Sequence, residues 1–212
     1  MPETITKLSF WSLVTDGGYI MIPLAVLLIV TVYIFIERCI AIHRASKSDA
    51  SFMNRIRDYV MEGDIENAEQ LCERTDTPIS RLILKGVTRI GRPASEVQSA
   101  IENTGNLEIA NLGKGFTWLS TTAAGAPMLG FLGTVIGMIE AFFALANAGT
   151  AANITVLSSG IYQALVTTVA GLVVGILSLF AYNYLVARVN VVTNMMESKT
   201  VEFMDLLNEP VG

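Results

Sequence analysis

The chain has 212 residues, of which 52% are hydrophobic and 16% are charged, and its formal net charge is −5. A soluble domain carries about 25% charged residues, so this composition indicates a membrane protein. The acidic balance and the lack of a basic run argue against nucleic-acid binding. One histidine and two cysteines without zinc-ligand spacing give no reason to expect a metal or other cofactor.

The first apolar run, residues 19–42, is predicted to be the first transmembrane helix. Its uncharged part, 19–36, reaches across about 30 Å of hydrocarbon once its flanks are included. The preceding residues 1–18 contain one lysine and no basic n-region, and no small-residue cleavage site follows the run. We therefore expect a permanent anchor rather than a signal peptide.

Residues 43–115 are predicted to form several short helices, separated by residues that end or begin a helix. Apolar positions at helical spacing lead up to Gly63-Asp64, and a second helix follows that turn. Thr77 is a candidate N-cap with Pro78 at the first helical position, and Gly91-Arg92-Pro93 is a turn. Cys39 and Cys72 are interpreted as small apolar residues, without a disulfide.

No proline lies between Ala94 and Pro127, so one helix is predicted from Ala94 through the second span to Ala146. Three glycines lower the stability of this predicted helix and could interrupt it: Gly105, Gly113 and Gly115. The charges of residues 43–115 are expected to form a solvated face, with some contacting neighbouring subunits; they include Asp58, Glu62, Arg74, Arg81 and Lys85.

Two further apolar runs, 116–146 and 154–187, predict transmembrane helices two and three. The seven-residue link 147–153 requires an antiparallel hairpin, and the tail 188–212 follows. Lys and Arg flank the spans mainly on one side, since the N-terminal segment has only Lys7 and the link has no charge. The positive-inside rule then places 43–115 and the tail in the cytoplasm and 1–18 and 147–153 in the periplasm. These flanking cations are Arg38, Arg44, Lys47, Lys114, Arg188 and Lys199.

Small residues form one face of each hairpin helix at 100° per residue. Close helix packing in lipid explains these faces without any further function. Thr134 and Thr168 lie 16 residues before and 18 after Thr150, near the middle of the link, and thus at matching depth. Their hydroxyls either bond to backbone carbonyls or line a narrow polar path. The packing positions include Gly130, Gly133, Gly137, Gly171 and Gly175.

Few ionisable groups lie within the spans. Glu140 is near the outer end of span two, where it is either an interfacial carboxylate or a gate or proton entry site. Glu37 and Arg38 are expected to form a local ion pair. No span contains an aspartate or a mid-membrane histidine. If the chain moves protons, the central carrier must therefore come from another chain.

Two motifs resemble a known family. GFLGTVIGMIEAFF (130–143), preceded by Ala126-Pro127, resembles the second span of the MotA/TolQ/ExbB proton-channel family, and GIYQALVTTVAGLVVGI (160–176) resembles the third. IERCIAI, GDIENAEQLC and TPISRLILKG are similar to the family's first-span end and cytoplasmic region. Three spans match the ExbB and TolQ branch rather than flagellar MotA.

The resemblance implies an all-α membrane protein with three transmembrane helices and long helices projecting into the cytoplasm, assembled as a homopentameric ring in the bacterial inner membrane. It implies an ExbD/TolR-type single-span dimer in the central pore, whose aspartate carries the proton, and work passed to a TonB-type protein. Thr134 and Thr168 match the family's pore threonines. Thr167, Gln163 and Glu140 complete the expected proton path, although ExbB-type chains often have glutamate at the Gln163 position.

Two other functions remain open: a TolQ-like subunit of a Tol envelope system, and a passive scaffold for a single-span partner. An intramembrane enzyme is not expected. Ser158 or Ser159 would need a base, and the only histidine, His43, lies at the opposite face of the membrane.

Overall fold

The computed structural model describes residues 17–46, 51–148 and 154–208. Within these ranges the chain is helical and contains no β-strand, which confirms the predicted all-α class. Predictions that concern residues 1–16, 47–50, 149–153 and 209–212, including most of the predicted link, lie outside the described residues. The helices are α1 (Met21–Ala45), α2 (Phe52–Glu62), α3 (Ile65–Thr75), α4 (Pro78–Val87), α5 (Ala94–Leu112), α6 (Phe116–Ala148) and α7 (Ile154–Asn208).

The chain divides into two compact units. The first contains residues Met1–Phe35 and Gly115–Asn183, and the second contains Ile36–Lys114 and Tyr184–Gly212. Three helices, α1, α6 and α7, are long and apolar enough to cross a membrane, so the protein is a multi-pass membrane protein. Where the membrane begins and ends along these helices stays a prediction.

The first unit joins parts of α1, α6 and α7 through a small apolar core. Leu24 of α1, Ala126 of α6 and Val174 of α7 are buried together. Partly buried apolar residues pack around them: Ile20, Met21, Leu27, Leu28, Leu129 and Ala170. A buried hydrogen bond, 3.0 Å long, connects the hydroxyls of Thr31 and Ser178. The core therefore holds α1 against the hairpin by apolar packing and one polar contact.

The prediction of one continuous helix from Ala94 to Ala146 is wrong. Helix α5 ends at Leu112, and α6 begins at Phe116. Gly115 has φ +85°, in the left-handed region that a right-handed helix cannot pass through. A Cβ at Gly115 would lie 3.1 Å from Ile34 Cγ2, so this position has little room for a side chain as well.

In the second unit, helices α2 to α5 pack against one another in chain order. Gly63 ends α2 with φ +76°, and Asp64 caps α3 by accepting a hydrogen bond from the Asn67 amide. The Thr77 hydroxyl accepts from the Ser80 amide while the Ser80 hydroxyl accepts from the Thr77 amide. With Pro78 opening the helix, this capping box confirms the predicted start of α4.

The last turns of α7 contribute to the core of the second unit. Phe203 is fully buried, and its ring lies so close to Gly86 of α4 that a side chain there would collide with it. Both cysteines are free thiols; Cys72 is buried and Cys39 is half-buried. Other buried side chains of this core belong to Ile56, Ile83, Val97, Ile101, Val192 and Met196.

Arg81 departs from the predicted solvated face. Its guanidinium makes two hydrogen bonds to the Glu108 carboxylate, at 2.9 and 2.8 Å, and one of 2.6 Å to Asp76. These hydrogen bonds, which Arg81 donates to Glu108, raise the pKa of Arg81 above its ordinary value, and the hydrogen bond to Asp76 adds to this shift. Arg81 thus ties α4 to α5, while the other predicted surface charges are exposed: Asp58, Glu62, Arg74 and Lys85.

Candidate functional site

The candidate site is the contact between α6 and α7, where glycines allow the two backbones to approach closely. A Cβ at Gly130 would lie 2.9 Å from the Thr167 carbonyl oxygen, and a Cβ at Gly171 would lie 2.5 Å from the Ala126 carbonyl oxygen. Real Cβ atoms do not occupy such positions without a shift of the backbone. Larger residues here would push the helices apart.

Nearer the link between the two helices, Gly137 faces Gly160 and Ala164. A Cβ at Gly137 would lie 3.2 Å from the Gly160 carbonyl oxygen, and a Cβ at Gly160 would lie 2.6 Å from the Ala141 Cβ. Residue numbers therefore rise on α6 as they fall on α7, which is the order of an antiparallel pair. Such small-residue contacts are how helices associate in lipid, where hydrophobic burial gives no driving force.

At the other end of the contact, Gly175 packs against Pro127. A Cβ at Gly175 would lie 2.6 Å from Pro127 Cγ and 3.0 Å from the Ala123 carbonyl oxygen. Proline has no amide proton, so this carbonyl lacks its usual donor four residues along the helix. The glycine leaves room for both the proline ring and that carbonyl.

Thr167 lies inside the contact between the two helices. Only 1% of its surface is exposed, and its side chain occupies the space beside Gly133. The hydroxyl donates to the Ala164 carbonyl at 2.7 Å and lies 3.5 Å from the Gly130 carbonyl oxygen. In the single chain, Thr167 therefore fills the gap above a glycine and faces no open surface.

Thr134 and Thr168 are both half-buried, and each hydroxyl donates its proton to a backbone carbonyl. Thr134 donates to Phe131 of its own helix at 2.6 Å, and Thr168 donates across the contact to Gly130 at 3.2 Å. No hydrogen bond joins the two threonines among the described residues. A hydroxyl has one proton and two acceptor lone pairs, so both side chains retain the capacity to accept a hydrogen bond.

The surroundings of Thr134 are apolar. Together with five apolar side chains of α6 it lines an open groove of about 650 Å³. The Thr134 hydroxyl oxygen is the one oxygen among these lining side chains. A protonated acid or a water in this groove could therefore donate a hydrogen bond to it. The five are Val135, Met138, Ile139, Phe142 and Phe143.

The two remaining predicted path residues lie closer to the predicted outer end. Gln163 is half-buried, and its amide nitrogen lies where a side chain at Gly18 would be, just before α1. Gly18 has φ +67°, so glycine suits this position both for space and for conformation. Glu140 is exposed. Neither residue lies beside Thr134 or Thr168 along its helix.

Sequence reasoning missed two buried hydroxyls in the first unit. Thr31 bonds to Ser178, whose own proton is donated to the Val174 carbonyl at 2.9 Å. Thr122 is 2% exposed on α6. The signal for Thr31 was a lone threonine in the middle of an apolar run. Among the described residues, no group of three His, Cys, Asp or Glu side chains is arranged to hold a metal ion.

Comparison with known proteins connects this hairpin to a family. The model of the MotA/TolQ/ExbB proton channel family matches residues 74–198, which include α4, α5, α6 and most of α7. Both motifs of the hairpin lie inside the matched region. The predicted resemblance is therefore confirmed.

Three relatives show how far the similarity extends. A biopolymer transport protein ExbB homolog of Methanothermobacter thermautotrophicus is 31% identical over 82% of this chain, which spans 62% of that relative. ExbB of Neisseria meningitidis is 28% identical over 92% of this chain and 95% of its own length. The Tol-Pal system protein TolQ of Haemophilus influenzae is 36% identical over 49% of this chain and 45% of its own length. The chain belongs to the MotA/TolQ/ExbB proton channel family.

Proposed function

We propose that the protein is the proton-channel stator subunit of an ExbB-type motor in the bacterial inner membrane. It works with an ExbD-type partner and uses the proton motive force to energise TonB-dependent outer-membrane transport. The observation that carries the proposal is the pair of hydroxyls, Thr134 and Thr168, on facing helices of a closely packed hairpin in a chain of this family.

The chemistry of the hairpin fits a proton that arrives on another chain. An uncompensated carboxylate is costly inside lipid, whereas a protonated carboxylic acid is neutral and can donate one hydrogen bond. The free lone pairs of Thr134 and Thr168 accept such a bond. When the acid loses its proton, rotation of either hydroxyl away from its carbonyl supplies a donor to the carboxylate. The same two residues thus serve both protonation states.

In this proposal, five copies form a ring around the partner dimer, with residues 43–115 in the cytoplasm. Glu140 and Gln163 belong to the outer part of the path, and the neutral amide of Gln163 acts by hydrogen bonding rather than by charge. Thr167 supports the path by holding α6 and α7 together. Each proton that crosses 100 mV releases about 2.3 kcal/mol, so a few protons suffice for a conformational step.

Proton flux in liposomes tests the proposal. The chain is reconstituted with a single-span partner that carries an intramembrane aspartate, and acid-driven flux is followed with a pH-sensitive dye. We expect Thr134→Val with Thr168→Val to reduce flux at least tenfold, because both acceptor oxygens are removed at unchanged side-chain volume. Thr121→Val removes an exposed hydroxyl of the same helix and should leave flux unchanged.

Unchanged flux in the double variant would show that the two threonines do not line the path. Because the glycines carry the close packing, the double variant should still assemble, and size-exclusion chromatography checks that it does. A variant that assembles normally and loses flux separates conduction from structure.

Two other functions are distinguished by the same preparation. The similarity to TolQ of Haemophilus influenzae supports a TolQ-like role in a Tol envelope system, which predicts flux with a TolR-type but not an ExbD-type partner. A passive scaffold predicts stable binding of a partner without flux, and no effect of the threonine substitutions.

A further inference from the structure

The second unit contains a cavity of about 450 Å³ between the last turns of α1 and the part of α7 that begins at Tyr184. Two arginines and a histidine contribute cationic or polar groups to its lining: Arg44, Arg188 and His43. Ile40 and Tyr184 contribute an apolar side. No Asp or Glu is among the residues that line it.

The two arginines of this cavity have no acidic partner in the part of the chain that the structure describes. Neither Arg44 nor Arg188 takes part in the salt bridges of the described residues. Arg188 is half-buried and Arg44 is exposed. Arg38, six residues before Arg44, is different: it pairs with Glu37 and donates to the Asn111 carbonyl at 2.9 Å. The nearby acids Asp76 and Glu108 are paired with Arg81. Within residues 17–46, 51–148 and 154–208, no carboxylate pairs with the guanidinium groups of the two cavity arginines, so both can bind an added anion.

The cationic and the apolar residues of the cavity lie at different predicted depths in the membrane. Arg44 and Arg188 follow the predicted ends of the first and third spans at residues 42 and 187. Ile40 is 50% exposed and Tyr184 is 53% exposed, and both lie on the span side of the arginines along their helices. The site thus offers cations at headgroup depth and an apolar surface at acyl-chain depth.

We propose that this cavity binds an anionic phospholipid. Arg44 and Arg188 hold the phosphate, for which a planar guanidinium is well suited, and the acyl chains lie along Ile40 and Tyr184. A soluble phosphate would use only the cationic half and leave the apolar half without an occupant. The inference goes beyond the proposed function, because it does not require that the chain conduct protons.

Native mass spectrometry of the full chain in detergent tests the site. Dioleoyl phosphatidylglycerol and dioleoyl phosphatidylcholine are titrated separately, so that the headgroup differs while the acyl chains are identical. We expect phosphatidylglycerol to bind at least tenfold more tightly. Since each juxtamembrane cation contributes several-fold to anionic-lipid affinity, Arg44→Gln with Arg188→Gln should remove about tenfold or more of that preference.

Lys114→Gln is the matched control, because it removes an exposed cation that flanks a predicted span but does not line the cavity. It should keep the preference for phosphatidylglycerol. Arg44→Lys with Arg188→Lys keeps both charges, loses the paired donors and should give an intermediate preference. Circular dichroism and oligomer mass verify that each variant is folded.

Several results would overturn the proposal. A double Gln variant that binds phosphatidylglycerol like the parent would exclude the two arginines. If Lys114→Gln lost as much of the preference for phosphatidylglycerol as the double Gln variant, the preference would come from overall charge and not from this cavity. Full displacement by millimolar inorganic phosphate would identify a soluble-anion site. A change of oligomer mass in the double Gln variant would mean that the arginines hold a subunit contact instead.

Discussion

At the residue scale, the glycines of the hairpin determine how closely α6 and α7 approach. Glycine in a helix costs about 1 kcal/mol relative to alanine, yet several occur here on one face. The close backbone contacts that they permit offset this cost in helix stability, because packing and polar contacts are the main source of helix association in lipid. Not every glycine of α6 has this role: beyond the nearby backbone of its own helix, Gly125 has no neighbour within 4 Å of where a Cβ would be.

Gly171→Ala should destabilise the protein, whereas Gly125→Ala should not. A Cβ at Gly171 would lie 2.5 Å from the Ala126 carbonyl oxygen and 2.9 Å from Gly130 Cα, both backbone atoms that cannot move alone. We expect Gly171→Ala to lower the free energy of unfolding by about 1–3 kcal/mol, as substitutions that overpack a core do. Gly125→Ala should be neutral or stabilise by up to about 1 kcal/mol. Unfolding in mixed detergent micelles measures both, and equal effects would contradict the packing assignment.

The Cys72 thiol should be unreactive in the folded protein. Burial raises its pKa from the ordinary 9.0 to about 12, with Glu69 and Glu73 adding to the shift. In Cys39→Ser, where Cys72 is the remaining cysteine, maleimide at pH 7.5 should label slowly until the protein is denatured. Cys72→Ser, which keeps the half-buried Cys39, is the comparison. Faster labelling of Cys72 than of Cys39 would be inconsistent with the buried position.

The same shift gives a pH dependence of stability. Because the folded state favours the protonated thiol, the contribution of Cys72 is complete below about pH 9 and is lost as the pH rises from 9 towards 12. Unfolding of the parent should therefore become easier over this range to a greater extent than unfolding of Cys72→Ser. Parallel curves for the two proteins would contradict this assignment.

At the element scale, single polar contacts connect neighbouring helices. The Thr31–Ser178 hydrogen bond joins α1 to α7 in the first unit, and the Arg81–Glu108 ion pair joins α4 to α5 in the second. In each case, apolar packing surrounds the polar contact. The polar contact fixes which residues face each other, since a shift by one turn would leave a buried donor or acceptor without a partner.

A double-mutant cycle measures the contact between α1 and α7. Thr31→Val and Ser178→Ala should each lower the free energy of unfolding. The double variant should lose less than the sum of the two single losses. The expected coupling energy is about 0.6 kcal/mol, the average for such hydrogen bonds in membranes. Ser120→Ala, which removes a hydroxyl that bonds only within its own helix, is the control. A coupling energy near zero would show that the hydrogen bond contributes nothing to stability.

Arg81→Gln should destabilise the second unit by about 1–2 kcal/mol, between the values for exposed and buried ion pairs. The side chain is 39% exposed, so screening reduces the effect, but Glu108 is only 14% exposed and would lose its partner. Arg92→Gln, which breaks an exposed pair with Glu96, should cost at most about 0.5 kcal/mol. Similar losses from both substitutions would argue against a structural role for Arg81.

The sequence predicted the elements whose signals are local. The small-residue faces, the start of α4 at Thr77 and the turn at Gly63 all depend on residue types at fixed spacing. The break before Phe116 was missed because a glycine adopts left-handed and right-handed conformations equally well, and only the surrounding structure selects between them. The Arg81–Glu108 pair and the Thr31–Ser178 bond join residues 27 and 147 positions apart, and one sequence does not reveal such contacts.

At the scale of the whole molecule, the spans of a single chain leave much apolar surface uncovered. Phe131, Ile139 and Phe143 of α6 are 63–70% exposed. Lipid is expected to cover such surfaces, together with the further copies of the chain that the proposed function requires. Thr134 is half-buried in one chain. The proposed proton path therefore needs further copies of the chain to enclose it.

We expect a homopentamer in mild detergent, as the family resemblance implies. Native mass spectrometry should give a protein mass five times the 22.9 kDa of one chain. Thr134→Val should leave this mass unchanged, because the threonine is not part of the glycine contact. A stable monomer at micromolar concentration would contradict the ring on which the proposed function depends.

The proline in α6 has a consequence for spectroscopy. The Ala123 carbonyl has no amide donor at Pro127, so it should absorb at a higher infrared frequency than its hydrogen-bonded neighbours in the helix. It also lies against Gly175 of α7, which makes its frequency sensitive to the separation of the two helices. A single isotope-labelled carbonyl at this position would therefore report spreading or closing of the hairpin during a transport cycle, without any added probe.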